Sequence, residues 1–153
     1  MQLIDGVAVK KLKLVADSRG YLMEMLRSDW PEFMKFGQSY VTASYPGIIK
    51  AWHYHKLQWD HFVCVHGMAR VVLYDSREDG PTQGLVNEFH IGRLNPVLLK
   101  IPNLVYHGFT AEGTDTALIV NYPTELYNYG QPDEYRLPYN DPTIPYSWEV
   151  QHG

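Results

Sequence analysis

A chain of 153 residues, 45% of them hydrophobic, suits a single domain with a real core. That excludes a disordered chain, a disulfide- or zinc-stapled miniature and a collagen-like fibre. Thirteen Lys and Arg against 17 Asp and Glu leave a net charge of -4, without the basic field that non-specific nucleic-acid binding needs. In chain order, short β-branched and aromatic runs predict strands at Leu12–Val15, Tyr21–Leu26, Gln38–Ser44, Ile49–His55 and His61–His66. Further strands are predicted at Ala69–Tyr74, Val86–Ile91, Val97–Ile101, His107–Thr110 and Ala117–Asn121. Turn signals separate them, among them Asp17-Ser18-Arg19-Gly20, Tyr45-Pro46-Gly47, His66-Gly67 and Asp79-Gly80-Pro81. One short helix is predicted over Asp29–Phe36, with Asp29 as its cap and Pro31 in the first turn. From Tyr122 onward the chain is rich in Tyr and Pro, and reads as an ordered coil laid over the strands. So many short strands at this spacing predict one all-β sandwich or barrel domain, the class that includes jelly rolls.

No apolar run approaches the roughly 18 residues of a membrane helix. Residues 1–13 carry charge but not the apolar stretch and cleavage site of a signal peptide. The single Cys64 cannot close an internal disulfide, so the cytoplasm is the expected compartment. Function is to be sought among the 7 histidines, because His53, His55, His61 and His66 crowd into one short stretch.

Gly47, His53-Tyr54-His55, Asp60 and Gly67 stand in the order and spacing of the first cupin motif, with Asp where Glu is usual. Pro102-Asn103-Leu104-Val105-Tyr106-His107 resembles the second, with Leu104 in the glycine position. His53 and His55 lie two apart on a strand, so both side chains leave on one side. With Asp60 and His107 they make three imidazoles and a carboxylate, a set that suits Fe, Mn, Zn, Ni or Cu. His61 has the opposite parity and His66 ends its strand, so ordinary hydrogen bonds are expected of both. His90 and His152 carry no such pattern.

Along nearly its whole length the chain resembles the dTDP-4-dehydrorhamnose 3,5-epimerases, cupins of nucleotide-sugar metabolism. The resemblance runs through Asp17-Ser18-Arg19-Gly20-Tyr21-Leu22-Met23-Glu24, Phe36-Gly37-Gln38 and Gly47 to His53. It continues through Tyr74-Asp75-Ser76-Arg77, Pro81-Thr82-Gln83-Gly84, Ile101-Pro102 and His107-Gly108-Phe109, then Thr124, Tyr127, Glu134, Asn140-Asp141-Pro142, Ile144 and Trp148. It implies a cupin jelly roll with His53 as general base, Asp141 as the acid orienting that imidazole, and Tyr127 as the acid on the opposite face of the sugar. It implies His107 in the active site and Lys50, in place of an arginine, at the nucleotide's phosphates. Arg19, Glu24 and Gln38 match nucleotide-contacting positions, the first two reaching a neighbouring subunit's site. Four departures stand out. Asp60 replaces the lysine that assists the enolate, His55 replaces a glutamine, Tyr40 an asparagine and Leu22 a phenylalanine.

The expected function is therefore an isomerase-type cupin that epimerises a nucleotide-linked 4-keto-6-deoxy sugar by proton abstraction next to the ketone, in deoxysugar or surface-polysaccharide biosynthesis. It needs no cofactor and works as a homodimer. One alternative is a metal-dependent relative, with His53, His55, Asp60 and His107 holding a divalent transition metal. The other is a non-catalytic sugar-binding cupin whose aromatic rings stack on the ligand. The two enzyme readings set His53 incompatible tasks, since a metal-bound nitrogen is not a free base.

Overall fold

The computed structural model describes residues 1–149, so His152 lies outside the described residues. Alternating apolar positions become twelve strands: β1 (Ala8–Lys11), β2 (Leu14–Asp17), β3 (Gly20–Met23), β4 (Tyr40–Ser44), β5 (Ile49–Tyr54) and β6 (Asp60–His66). Then come β7 (Met68–Asp75), β8 (Val86–Gly92), β9 (Val97–Ile101), β10 (Val105–Glu112), β11 (Ala117–Asn121) and β12 (Tyr135–Arg136). Two five-stranded antiparallel sheets, ordered β1-β9-β6-β11-β4 and β12-β5-β10-β7-β8, face each other as a jelly roll. β2 and β3 form a separate ribbon.

The period-2 pattern decides which side chains meet between the sheets. Phe62, Leu99 and Ile119 of one sheet pack with Val71, Leu73, Phe89 and Phe109 of the other. The intervening residues point outward and are also buried. Val63 and Leu98 lie under Leu12, Met23, Met25, Leu26 and Trp30. Trp52 and Val72 lie under Ile144 and Trp148, so the C-terminal coil closes the back of the second sheet.

Two expectations change. The Asp29–Phe36 helix does not form. The segment makes only isolated turns, with Trp30 N–H donating to Arg27 C=O and Phe33 N–H to Trp30 C=O. Eight residues are too few to recover the cost of helix nucleation, and the Asp29 carboxylate is taken by the Arg27 guanidinium at 2.7 and 2.8 Å instead of capping. The coil after Tyr122 is not wholly outside the sheets either. Tyr135 and Arg136 pair with Tyr54 and His53 as β12, at the edge of the second sheet.

Gly108 sets how closely β5 approaches β10. A methyl group there would sit 2.4 Å from Ala51 Cβ and 3.0 Å from Trp148 Cζ2. Gly108→Ala must therefore push β5 or the C-terminal coil away, at an expected cost of about 1–3 kcal/mol. A lower midpoint in urea unfolding checks this, and an unchanged midpoint would mean the strands are not so tightly apposed.

Candidate active site

Strand alternation, carried one residue past the end of β5, sends His53 of β5 and the adjoining His55 into one cavity of about 1040 Å³, where His107 of β10 joins them. His107 is the register partner of His53, and their rings stack with centroids 6.2 Å apart. The β5–β10 register shifts between His107 and Phe109, which pair with His53 and Lys50. This extra residue on β5 lets Lys50 face the cavity although it is an odd number of residues from His53. Lys50 Nζ donates to Thr42 Oγ1 at 3.0 Å and lies 5.9 Å from the Phe109 ring. Among the described residues no carboxylate pairs with it, so its charge is available to an anion. Tyr127 lines the same cavity from the coil after β11, and its backbone N–H donates to Gln38 Oε1 at 3.3 Å.

That coil also supplies the groups that hold the histidines. The Asp133 carboxylate accepts from the backbone N–H groups of Lys56, Leu57 and Gln58 at 2.8, 2.9 and 3.0 Å. Its own C=O accepts from His55 Nδ1 at 2.5 Å. Glu134 Oε1 lies 3.4 Å from His53 Nδ1 and accepts from Arg136 Nε at 2.8 Å. Burial, followed by the Arg136 charge, lowers the His53 pKa below its ordinary value despite Glu134.

Beneath the cavity floor Asp60 is almost wholly buried. Its Oδ1 accepts from Gln58 Nε2 at 2.8 Å and Asn121 Nδ2 at 2.7 Å, and Asn121 also donates to the Tyr40 hydroxyl at 2.9 Å. Its Oδ2 lies 3.3 Å from His55 Nε2 and 3.5 Å from His107 Nε2. Burial alone would raise the Asp60 pKa, but the His55 contact and the nearby His107 hold it well below the usual carboxylate range. Burial pushes His107 down to about 4. His55 is pushed down by burial but rises on balance, because Asp60 and the Asp133 carbonyl favour its charged form.

The expected partner of His53 is replaced. Asp141 does not back the imidazole, because its Oδ1 accepts from Thr143 N–H at 2.9 Å and Thr143 Oγ1 at 2.5 Å. Glu134 is instead the carboxylate beside His53 Nδ1, at 3.4 Å. The four-residue metal set also changes: the donor atoms of His55, Asp60 and His107 gather within 4.8 Å of one another, and His53 stands outside the group. Arg19 pairs with Asp17 and Glu24 with Arg27, both on the exposed N-terminal segment and away from the cavity lining. His61, as expected, is hydrogen-bonded structure, with Nδ1 and Nε2 at 2.9 and 3.0 Å from the carbonyls of Tyr122 and Glu32. Sequence reasoning gave no role to Asp133, Gln58 or Asn121. Local pattern carries no signal for them, since each acts on a strand distant in sequence or through a turn. The two candidate orienters can be separated. Glu134→Gln is expected to slow proton transfer about tenfold, a modest effect for a 3.4 Å contact, while Asp141→Asn should leave the rate near wild type. The reverse order in steady-state assays would restore Asp141.

A jelly roll with imidazoles facing the cavity between its sheets is the architecture of a cupin. The chain matches the model of the dTDP-4-dehydrorhamnose 3,5-epimerase family over residues 2–152, and it belongs to that family of sugar-nucleotide epimerases. It is 47% identical to a probable low-salt glycan biosynthesis epimerase of Haloferax volcanii over 153 residues, covering 98% of each chain. It is 44% identical to a spore coat polysaccharide biosynthesis protein of Bacillus subtilis over 149 residues, covering 97% of this chain and 99% of that one. The crystal structure of a dTDP sugar isomerase from Desulfovibrio desulfuricans superposes with a TM-score of 0.90 at 36% identity, covering 95% of this chain and 92% of that one. Among the described residues no helix is long and apolar enough to cross a membrane.

Proposed function

We propose that this protein epimerises a nucleotide-linked 4-keto-6-deoxy sugar used in building a glycan or surface polysaccharide. The observation that carries the reading is the cavity in which His53, Tyr127 and an unpaired Lys50 converge. Its volume of about 1040 Å³ is at the large end for small-molecule sites and suits a ligand the size of a nucleotide sugar. Lys50 meets the diphosphate. The ketone acidifies the neighbouring C–H, His53 takes that proton, and the electron pair moves onto the carbonyl oxygen. Tyr127 then returns a proton to the carbon from the other face as the ketone re-forms. Glu134 steadies the His53 ring. The names of the relatives, glycan epimerase and spore coat polysaccharide protein, support the biosynthetic setting.

The test is incubation with a dTDP-linked 4-keto-6-deoxy hexose in deuterated water. Deuterium entering next to the ketone supports the reading, and none entering with a verified substrate overturns it. The ribbon of β2 and β3 supports a second part of the proposal, a homodimer. Its Val15, Tyr21 and Leu22 are 54%, 66% and 61% exposed, an apolar surface suited to cover by another copy. A dimer mass by light scattering at micromolar concentration is expected, and a monomer would contradict it.

A further inference from the structure

We propose that His55 Nε2, Asp60 Oδ2 and His107 Nε2 form a binding site for one divalent first-row transition metal ion, with His53 left free beside it. The argument starts from hydrogen-bond polarity. His55 Nδ1 faces the Asp133 carbonyl at 2.5 Å, and His107 Nδ1 faces the Val105 carbonyl at 3.3 Å. A carbonyl only accepts, so each Nδ1 carries the ring's hydrogen. In its neutral form each ring turns a bare Nε2 lone pair toward the same carboxylate oxygen. Three acceptors converge on one point in an environment where the carboxylate is 2% exposed. A proton on Nε2 or a metal ion between the three removes that repulsion.

Distance favours a metal over a proton. A charge-assisted N–H···O bond draws its atoms to about 2.7–2.9 Å. The separations here are 3.3 and 3.5 Å. Metal–ligand bonds of about 2.0–2.2 Å at tetrahedral angles place neighbouring donors about 3.3–3.6 Å apart. The outer groups are arranged as metal sites require. Both imidazoles are fixed through Nδ1 by backbone carbonyls, and the other carboxylate oxygen is fixed by Gln58 and Asn121. Two imidazoles and one carboxylate favour first-row transition ions, borderline Zn²⁺, Fe²⁺, Co²⁺ or Ni²⁺ and the harder Mn²⁺, over Mg²⁺ or Ca²⁺. Both histidines line the cavity, so positions on the ion remain open to a ligand.

The use of the ion rests on the epimerase reading. An ionised carboxylate below the ketone has the wrong sign for an enolate, but a divalent ion on that carboxylate turns the local charge to plus one. It thereby supplies what a lysine ammonium would, and His53 keeps its task as base because it is not a ligand.

The test is metal analysis of protein purified without chelator, then calorimetric titration of chelator-treated protein with Zn²⁺, Mn²⁺ and Co²⁺, with a Co²⁺ absorption spectrum as a direct signature. About one ion per chain is expected, with a rise in unfolding temperature on loading. Asp60→Asn should abolish binding, and Gln58→Leu should weaken it about 10–100-fold. His53→Asn should bind as the wild type does. A chelator-treated wild type that takes up none of the three ions overturns the proposal without reference to any variant's folding. Loss of binding in His53→Asn overturns the three-donor site. Binding without deuterium exchange leaves the site standing and removes the epimerase reading, whereas full exchange by verified metal-free protein removes the ion's catalytic use.

Discussion

Replacing His53 by asparagine is expected to lower deuterium incorporation into a 4-keto sugar nucleotide by about 10²–10⁴-fold, the range for loss of a general base. Asparagine keeps a polar group of similar reach but cannot accept a proton from carbon. The change should leave the fold intact. His53 is only half-buried, and its sequence neighbours Trp52 and Tyr54 hold β5 by packing on the other face, against Trp148 and against Tyr106 and Tyr135. The measurement is proton nuclear magnetic resonance of the substrate in deuterated water, with the unfolding midpoint as control. Exchange at the wild-type rate by a folded variant would place the base elsewhere, and no other imidazole lining this cavity is free of a second task. His55 and His107 both point Nε2 at Asp60.

Tyr127→Phe should separate two steps that His53→Asn abolishes together. Removing the hydroxyl removes the acid but not the base, so the proton next to the ketone should still exchange at close to the wild-type rate. The inverted product should fall about 10²–10⁴-fold. Tyr127 is suited to this because its ring is steadied edge-on by Tyr129, with centroids 5.0 Å apart, and its backbone by Gln38. Product analysis by chromatography against both epimers is the check. Equal loss of exchange and inversion would mean that Tyr127 acts in positioning the sugar, and unchanged inversion would remove it from the chemistry.

The strands were legible in the sequence because alternation is a local property. β9 and β11 fall at their predicted bounds, and His53 and His55 share a face for the same reason. The resemblance carried by Asp17-Ser18-Arg19-Gly20, Gly47 to His53 and His107-Gly108-Phe109 also gave the family directly. Two strands were missed. β1 is only four residues long, and β12 is two residues whose pairing with β5 comes from the path of the coil. The helix over Asp29–Phe36 failed because Arg27 competed for its cap.

The sequence by itself determined a jelly roll with imidazoles on the inner side of one strand and the chemistry class of the site. Only the tertiary structure decided which carboxylate serves which imidazole. Glu134 reaches His53 because β12 pairs beside β5, whereas Asp141 turns to Thr143. Asp60 meets His55 and His107, but not His53, because it starts β6 in the facing sheet. Such contacts depend on register, a bulge in β5 and the course of a coil. None of these has a period that a residue pattern can express, so the separation of His53 from the His55–Asp60–His107 cluster emerges only when the sheets close.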